Sequence, residues 1–110
     1  MQTETSRLDL TFAALADAKR RQMLSHLATG PQPVKAIAQP LNIALPSAVK
    51  HLALLEKARL VRSVKSGRVR TFELTEDAFT DIEHWVAARK AGLNRQFDEL
   101  DRYLKDTAPQ

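Results

Sequence analysis

Apolar residues recur along this chain at two periods, and each change of period marks a change of element. From Leu8 to Leu60 they return every three or four residues, from Val61 to Leu74 they alternate with polar ones, and beyond Ile82 the helical period resumes. Leu8, Phe12 and Leu15 predict a first helix capped by Thr5 or Ser6, with Asp9 completing a capping-box-like pair with Ser6. Asp17 reads as the N-cap of a second helix over 18–28 that buries Met23, Leu24 and Leu27, and Thr29-Gly30-Pro31 ends it. Pro33 opens a short third helix over 34–39, Pro40 closes it, and Asn42 lies in the turn that follows. The stretch Leu45–Leu60 predicts a fourth helix with Pro46 in its first turn, where a missing N–H is harmless. Ala48, Leu52 and Leu55 share one face of it. Ser47, Lys50, Ala53 and Lys57 share the opposite face, with Val49 and Leu54 flanking. Two strands, Val61–Lys65 and Arg68–Leu74, follow around a two-residue turn at Ser66-Gly67. Thr75-Glu76-Asp77 is placed to cap a final helix running to about Leu104.

Helix, turn, helix and then a hairpin is a winged helix-turn-helix, a mainly α fold with a small β-hairpin. The expected organisation is one domain over 1–110, with a DNA-binding core at about 18–74, a wing at 60–74, and dimerisation helices at 5–16 and 76–104. The last helix carries Ile82, Val86, Leu93, Phe97, Leu100 and Leu104 at spacings of three, four and seven, interrupted by Arg89. That is more apolar surface than a small winged domain covers, and it predicts a second copy of the chain as partner. Gly92 in the same helix either permits a close helix approach or marks a kink.

Charge sharpens this picture. The chain as a whole is only +4, yet residues 18–72 hold eleven lysines and arginines against one acid, Glu56, for a net +10. The rest holds six bases and twelve acids, for −6. A basic module between acidic flanks points to a polyanion. Residues 18–71 contain no aromatic residue, so the stacking platforms of single-strand and RNA binders are missing and duplex DNA is favoured. No apolar leader and no run of eighteen apolar residues appears, which predicts a cytoplasmic protein with no membrane partner. The bare face of the fourth helix is either an ordinary solvated surface or a slim cationic face for the major groove. The surrounding chain favours the second: in the hairpin, five bases at 59, 62, 65, 68 and 70 with no acid among them point to phosphate contact rather than to an edge blunted by charge.

The segments D-A-K-R-R-Q-M-L (17–24), I-A-L-P-S-A-V-K-H-L (43–52), L-E-K-A-R-L-V (55–61) and S-G-R-V-R-T-F-E-L (66–74) resemble the ArsR family of winged-helix repressors, from about Phe12 to Leu104. The resemblance is to the branch that lacks a metal site. It implies a homodimeric, DNA-binding regulator, usually an autorepressor, with terminal helices forming the dimer. The chain departs from the family at Ala44 and Val49, where serines are frequent, and at Ser47, where alanine is common. These changes bear on the operator sequence rather than on DNA binding itself.

The residues expected at DNA are Pro46, Ser47, Val49, Lys50, His51, Lys57, Arg62, Lys65, Arg68 and Arg70. Those expected at the dimer interface are Leu8, Phe12, Val86, Leu93, Phe97, Leu100 and Leu104. No cofactor or metal is expected. Cysteine is absent, and from Asp81 the family's last-helix metal spacing meets Glu83, Asn94 and Phe97. His84 with Glu83, Asp98 and Asp101 would be a non-standard alternative. No nucleophile–base arrangement or phosphate loop appears, so an enzyme is not expected. A dimeric protein-interaction module built on the same winged fold is the remaining alternative.

Overall fold

A computed structural model describes residues 6–107, and the alternative cap Thr5 lies outside the described residues. The elements run α1 (Arg7–Leu15), α2 (Ala18–Leu27), β1 (Gln32–Pro33), α3 (Val34–Leu41), α4 (Leu45–Lys57), β2 (Val61–Ser66), β3 (Val69–Leu74) and α5 (Thr80–Thr107). The chain forms two compact units, one ending at Phe79 and the other beginning at Thr80.

In the first unit, Ser6 and Asp17 accept hydrogen bonds from the N–H groups of Asp9 and Arg20 and so start α1 and α2. Met23, Ile37, Leu52, Leu55, Leu60 and Val61 are fully buried, and Phe72 from β3 closes the core. β2 and β3 pair antiparallel from Val61↔Leu74 to Ser66↔Val69, so the two-residue loop is Gly67-Arg68, one position later than the pattern suggested. Gly67 has φ +63, and Arg68 has a negative φ. A positive φ at the first central position alone belongs to a type II′ turn, which wants glycine there. That preference sets the register.

Four other boundaries differ from the expected ones. The third helix continues through Pro40 to Leu41, because a proline in the last turn forgoes only one hydrogen bond and Asn42, left-handed at φ 53, closes the helix instead. The fourth ends at Lys57 rather than Leu60. Ala58 caps it, and Arg59 turns the chain at φ 61. A third strand, β1, pairs Gln32 with Phe72 and Pro33 with Thr71, making the sheet order β1-β3-β2. Two residues, one a proline, carry no alternation to read, and an edge is where a strand tolerates the missing N–H. Finally, α5 begins at Thr80, not at the Thr75-Glu76-Asp77 segment. The Thr75 hydroxyl is engaged elsewhere, donating to the Arg59 carbonyl at 2.8 Å, while its N–H bonds the Leu60 carbonyl at 3.1 Å. Buried Ala78 then anchors an intervening turn, its N–H on the Thr75 carbonyl.

The second unit is α5 itself, 28 residues long with none of them buried. Arg89, which breaks its apolar row, places its guanidinium 5.3 Å from the centre of the Trp85 ring, one turn back.

Thr75 therefore ties the left-handed turn after α4 to the end of β3. Replacing Thr75 with Val keeps the shape and removes the hydroxyl, and should lower stability by about 1 kcal/mol. Urea unfolding of both proteins at one fixed concentration reads this, and equal midpoints would show that the tie carries no weight.

Candidate nucleic-acid interface

The burial of α4 is one-sided. Ala48, Leu52 and Leu55 are fully buried, whereas Pro46, Ser47, Lys50, Ala53 and Lys57 are exposed. Val49 and Leu54 are about half exposed, at 53% and 47%. Ser47, Lys50, His51 and Leu54 follow each other at i, i+3, i+4 and i+7 and make one stripe. Ala44 caps the helix without a side-chain hydrogen bond, so the hydroxyl of Ser47 is left on the outer face rather than used in a cap. Left-handed Asn42 ends α3, and α4 starts three residues later, the connection of a helix-turn-helix pair.

The wing is less uniformly free than its composition suggested. Arg62 faces Glu73 directly across the hairpin, and its Nε donates to Oε1 at 2.7 Å. The Glu73 carboxylate pushes the Arg62 guanidinium pKa up, through that hydrogen bond first and its charge second. The counter-ion lies just beyond the stretch in which acids are absent. Arg70 donates to the Ser63 hydroxyl at 2.8 Å, and that hydroxyl donates to Glu56 at 3.0 Å. The tip differs. Lys65 and Arg70 stand opposite each other on the two strands, with Arg68 in the turn between them. Like charges directly opposite are unfavourable in an isolated hairpin. Gathering them at an exposed tip makes sense opposite a polyanion.

The three bases at 19–21 prove structural. Lys19 Nζ donates to the last carbonyl of α3, Leu41, at 3.0 Å. Arg20 donates to the carbonyls of Ala14 (2.8 Å, through Nε) and Ala13 (3.1 Å, through Nη2), and Arg21 to that of Leu15 at 2.6 Å. These carbonyls end α1, where the helix dipole is negative; that of Ala13 also accepts the Ala16 N–H at 3.3 Å. The charge count of the sequence therefore overstates the DNA-facing charge. A signal was available, since K-R-R follows a helix end by only a few residues. Arg20 Nη1 also lies 3.2 Å from His51 Nδ1, a contact between α2 and α4 that no spacing rule foretells.

Of the residues expected at a dimer interface, Leu8 is half-buried and Phe12 is 38% exposed on α1. On α5, Val86, Leu93, Phe97, Leu100 and Leu104 are all exposed, and within the chain a Cβ at Gly92 would meet only the end of Arg95 at 3.7 Å. Among the described residues no three His, Asp or Glu side chains converge as metal ligands, and no helix is long and apolar enough to cross a membrane.

A family model described as a helix-turn-helix domain matches residues 15–64, the segment from the end of α1 into the wing. The HTH-type transcriptional regulator Rv2034 of Mycobacterium tuberculosis is 38% identical over 94 residues, covering 82% of this chain and 88% of that protein. A crystal structure of an ArsR family transcriptional regulator, RHA00566, superposes with a TM-score of 0.77 at 39% identity, over 81% of this chain and 98% of that one. The chain belongs to the ArsR family of transcriptional regulators. The transcriptional repressor SdpR of Bacillus subtilis is a more distant relative, 29% identical over 68% of this chain and 83% of its own length. The α3–α4 pair followed by the β2–β3 hairpin is the winged helix-turn-helix fold of these regulators.

The N-cap of α2 sets one pH dependence. The Asp17 carboxyl is held below its ordinary value of 3.8, chiefly by the Arg20 N–H that it accepts and then by the Arg20 charge. A depressed carboxyl pKa contributes stability that is present above the unfolded value, near 3.8, and lost as pH falls through the folded one. The gap in melting temperature between the parent and Asp17→Ala should thus be open at pH 7 and narrow by pH 3. A gap independent of pH would mean that the carboxylate's charge is irrelevant to the cap.

Proposed function

We propose that this ArsR-family protein is a homodimeric, cytoplasmic repressor that occupies an inverted-repeat operator. The observation carrying this reading is the asymmetry of α4. One face is wholly buried, and the other offers a hydroxyl, two ammonium groups, a histidine and small or methyl-bearing side chains with no competing acid in the stripe. Pro46, Ser47, Val49, Lys50 and His51 stand at the end of the helix that would enter the major groove, where a reader of base edges needs them. Lys57 would meet backbone phosphate from the far end. Lys65 and Arg68 would clamp phosphate from the wing tip, with Arg70 behind them and Arg62 reaching DNA only after leaving Glu73.

The dimer rests on α5. A helix with no buried residue and five large apolar side chains between 42% and 60% exposed needs a cover, and a two-fold copy of itself supplies the same apolar row. Leu8 and Phe12 of α1 would join that interface. Two recognition helices related by such an axis would meet successive major grooves, about one helical turn apart. The row also makes a sharp test. Leu100→Asp puts a charge into the proposed seam and should convert the protein to monomers in sedimentation velocity, with loss of operator binding. A parent protein that sediments as a monomer at micromolar concentration would refute the dimer.

The wing makes a separate prediction. Each phosphate contact adds roughly 0.9 to the slope of log affinity against log salt. Replacing Lys65 and Arg68 with Ala should flatten that slope by up to about two units for each wing, and weaken operator and scrambled duplexes alike. Arg62→Ala should flatten it less, since Glu73 already neutralises that guanidinium. Salt titrations on both duplexes decide, and a loss confined to the operator would rule out a phosphate clamp.

A further inference from the structure

The contact between Arg20 and His51 fixes more than packing. A guanidinium has five N–H donors and no acceptor, so a hydrogen bond from Arg20 Nη1 to His51 Nδ1, at 3.2 Å, requires Nδ1 to be the bare nitrogen of the ring. The proton of the neutral imidazole then resides on Nε2. Arg20 is itself locked, because Nε and Nη2 are occupied by the carbonyls of Ala14 and Ala13, and Asp17 Oδ2 lies 3.9 Å from Nη1. The planar fork has little freedom to turn away. At the other end of the ring, Nε2 has no hydrogen-bond partner among the described residues. No buried side-chain nitrogen or oxygen is left unsatisfied there either, so Nε2 reaches solvent. His51 stands one turn after Ser47 and next to Lys50 on the DNA-facing stripe.

We infer that Arg20 is a positioning residue that holds His51 as an outward Nε2–H donor, ready for an acceptor oxygen or nitrogen of duplex DNA. This rests on the reading of α4 as the recognition helix. It adds a specific tautomer, set by a residue on another helix. A ring free to exchange tautomers would present an acceptor part of the time, and an acceptor facing phosphate repels. Fixing the tautomer beforehand removes that misfit before the complex forms.

Two amide substitutions separate the ends of the ring. Gln places its NH2 near the position of Nε2, whereas Asn places its amide near Nδ1. His51→Gln should therefore keep the outward donor and bind DNA within about threefold of the parent. His51→Asn should retain an acceptor for Arg20 yet lose the outward donor, weakening binding roughly tenfold or more, as expected for a lost hydrogen bond to a charged or strongly accepting group. A purely structural role for His51 gives the reverse order. If operator and scrambled duplexes lose equally, the acceptor is a phosphate oxygen; if only the operator loses, it is a base edge. Independently of DNA, nitrogen-15 NMR of the full chain should show His51 as the Nε2–H tautomer. In Arg20→Ala the pattern should relax toward a mixture. Should that variant fail to fold, the parent spectrum and the two His51 variants still decide. An Nδ1–H or mixed tautomer in the parent, or His51→Asn binding as tightly as the parent while His51→Gln does not, would overturn the inference. A parent that binds no duplex, with the tautomer as expected, would instead overturn the reading on which it rests.

Discussion

Everything in the first unit depends on holding α4 by one face. A helix that is to lie in a groove has only half its circumference available for attachment, and here that half is Ala48, Leu52 and Leu55, each fully buried. The alanine matters as much as the leucines, because a small residue lets the neighbouring helices approach the axis closely. Leu60 and Val61 continue the same burial past the end of the helix, so the wing springs from the core at a fixed point. Removing the Leu52 side chain would cost about 2–5 kcal/mol, a large part of the stability of a domain this size.

Apolar packing fixes where α4 lies but resists sliding and rotation weakly, and polar ties supply the rest. Lys19 closes the end of α3, Arg20 and Arg21 close the end of α1, and Thr75 holds the carbonyl that follows α4. Each tie satisfies a main-chain group that a helix or turn would leave without a partner. The three ties at helix ends use cations where neutral residues would do less, since the carbonyl ends of helices carry the negative pole of the dipole. Cations used this way are committed to main-chain carbonyls, whereas Lys50, Lys57 and the tip of the hairpin stay exposed.

Helices whose periodicity and caps agree were legible in the sequence. The Ser6 and Asp17 caps, the buried face of α4 and the existence of the hairpin all follow from local patterns that tertiary structure does not override. Three features escaped, two because their cause is non-local and one because turn type was not read. β1 exists only because Phe72 and Thr71 of β3 offer it an edge. Thr75 has the composition of a cap, yet its hydroxyl is claimed by a carbonyl sixteen residues earlier. The turn register shifted by one because glycine's place within a type II′ loop, rather than its place in the run of residues, decides pairing. For the site, the residue types were readable and their partners were not. Glu73 neutralises Arg62 from outside the acid-free stretch, and the bases at 19–21 are drawn into helix ends.

The placement of charge separates two jobs within one strongly basic segment. Arg62 and Arg70 are tethered to groups within the chain, so they have defined positions but reduced free charge. Lys65 and Arg68 at the tip have no hydrogen-bond or ion-pair partner among the described residues. An approaching duplex would first meet the unpaired tip charges, whose attraction acts over a Debye length of about 8 Å at physiological salt. The ordered residues engage afterwards, at contact distance, where geometry discriminates. A wing whose cations were all paired would steer poorly, and one whose cations were all free would strain the hairpin by repulsion. The pairing seen here, with Arg62 and Arg70 tethered and Lys65 and Arg68 open, reconciles a stable hairpin with a strong positive field at its tip.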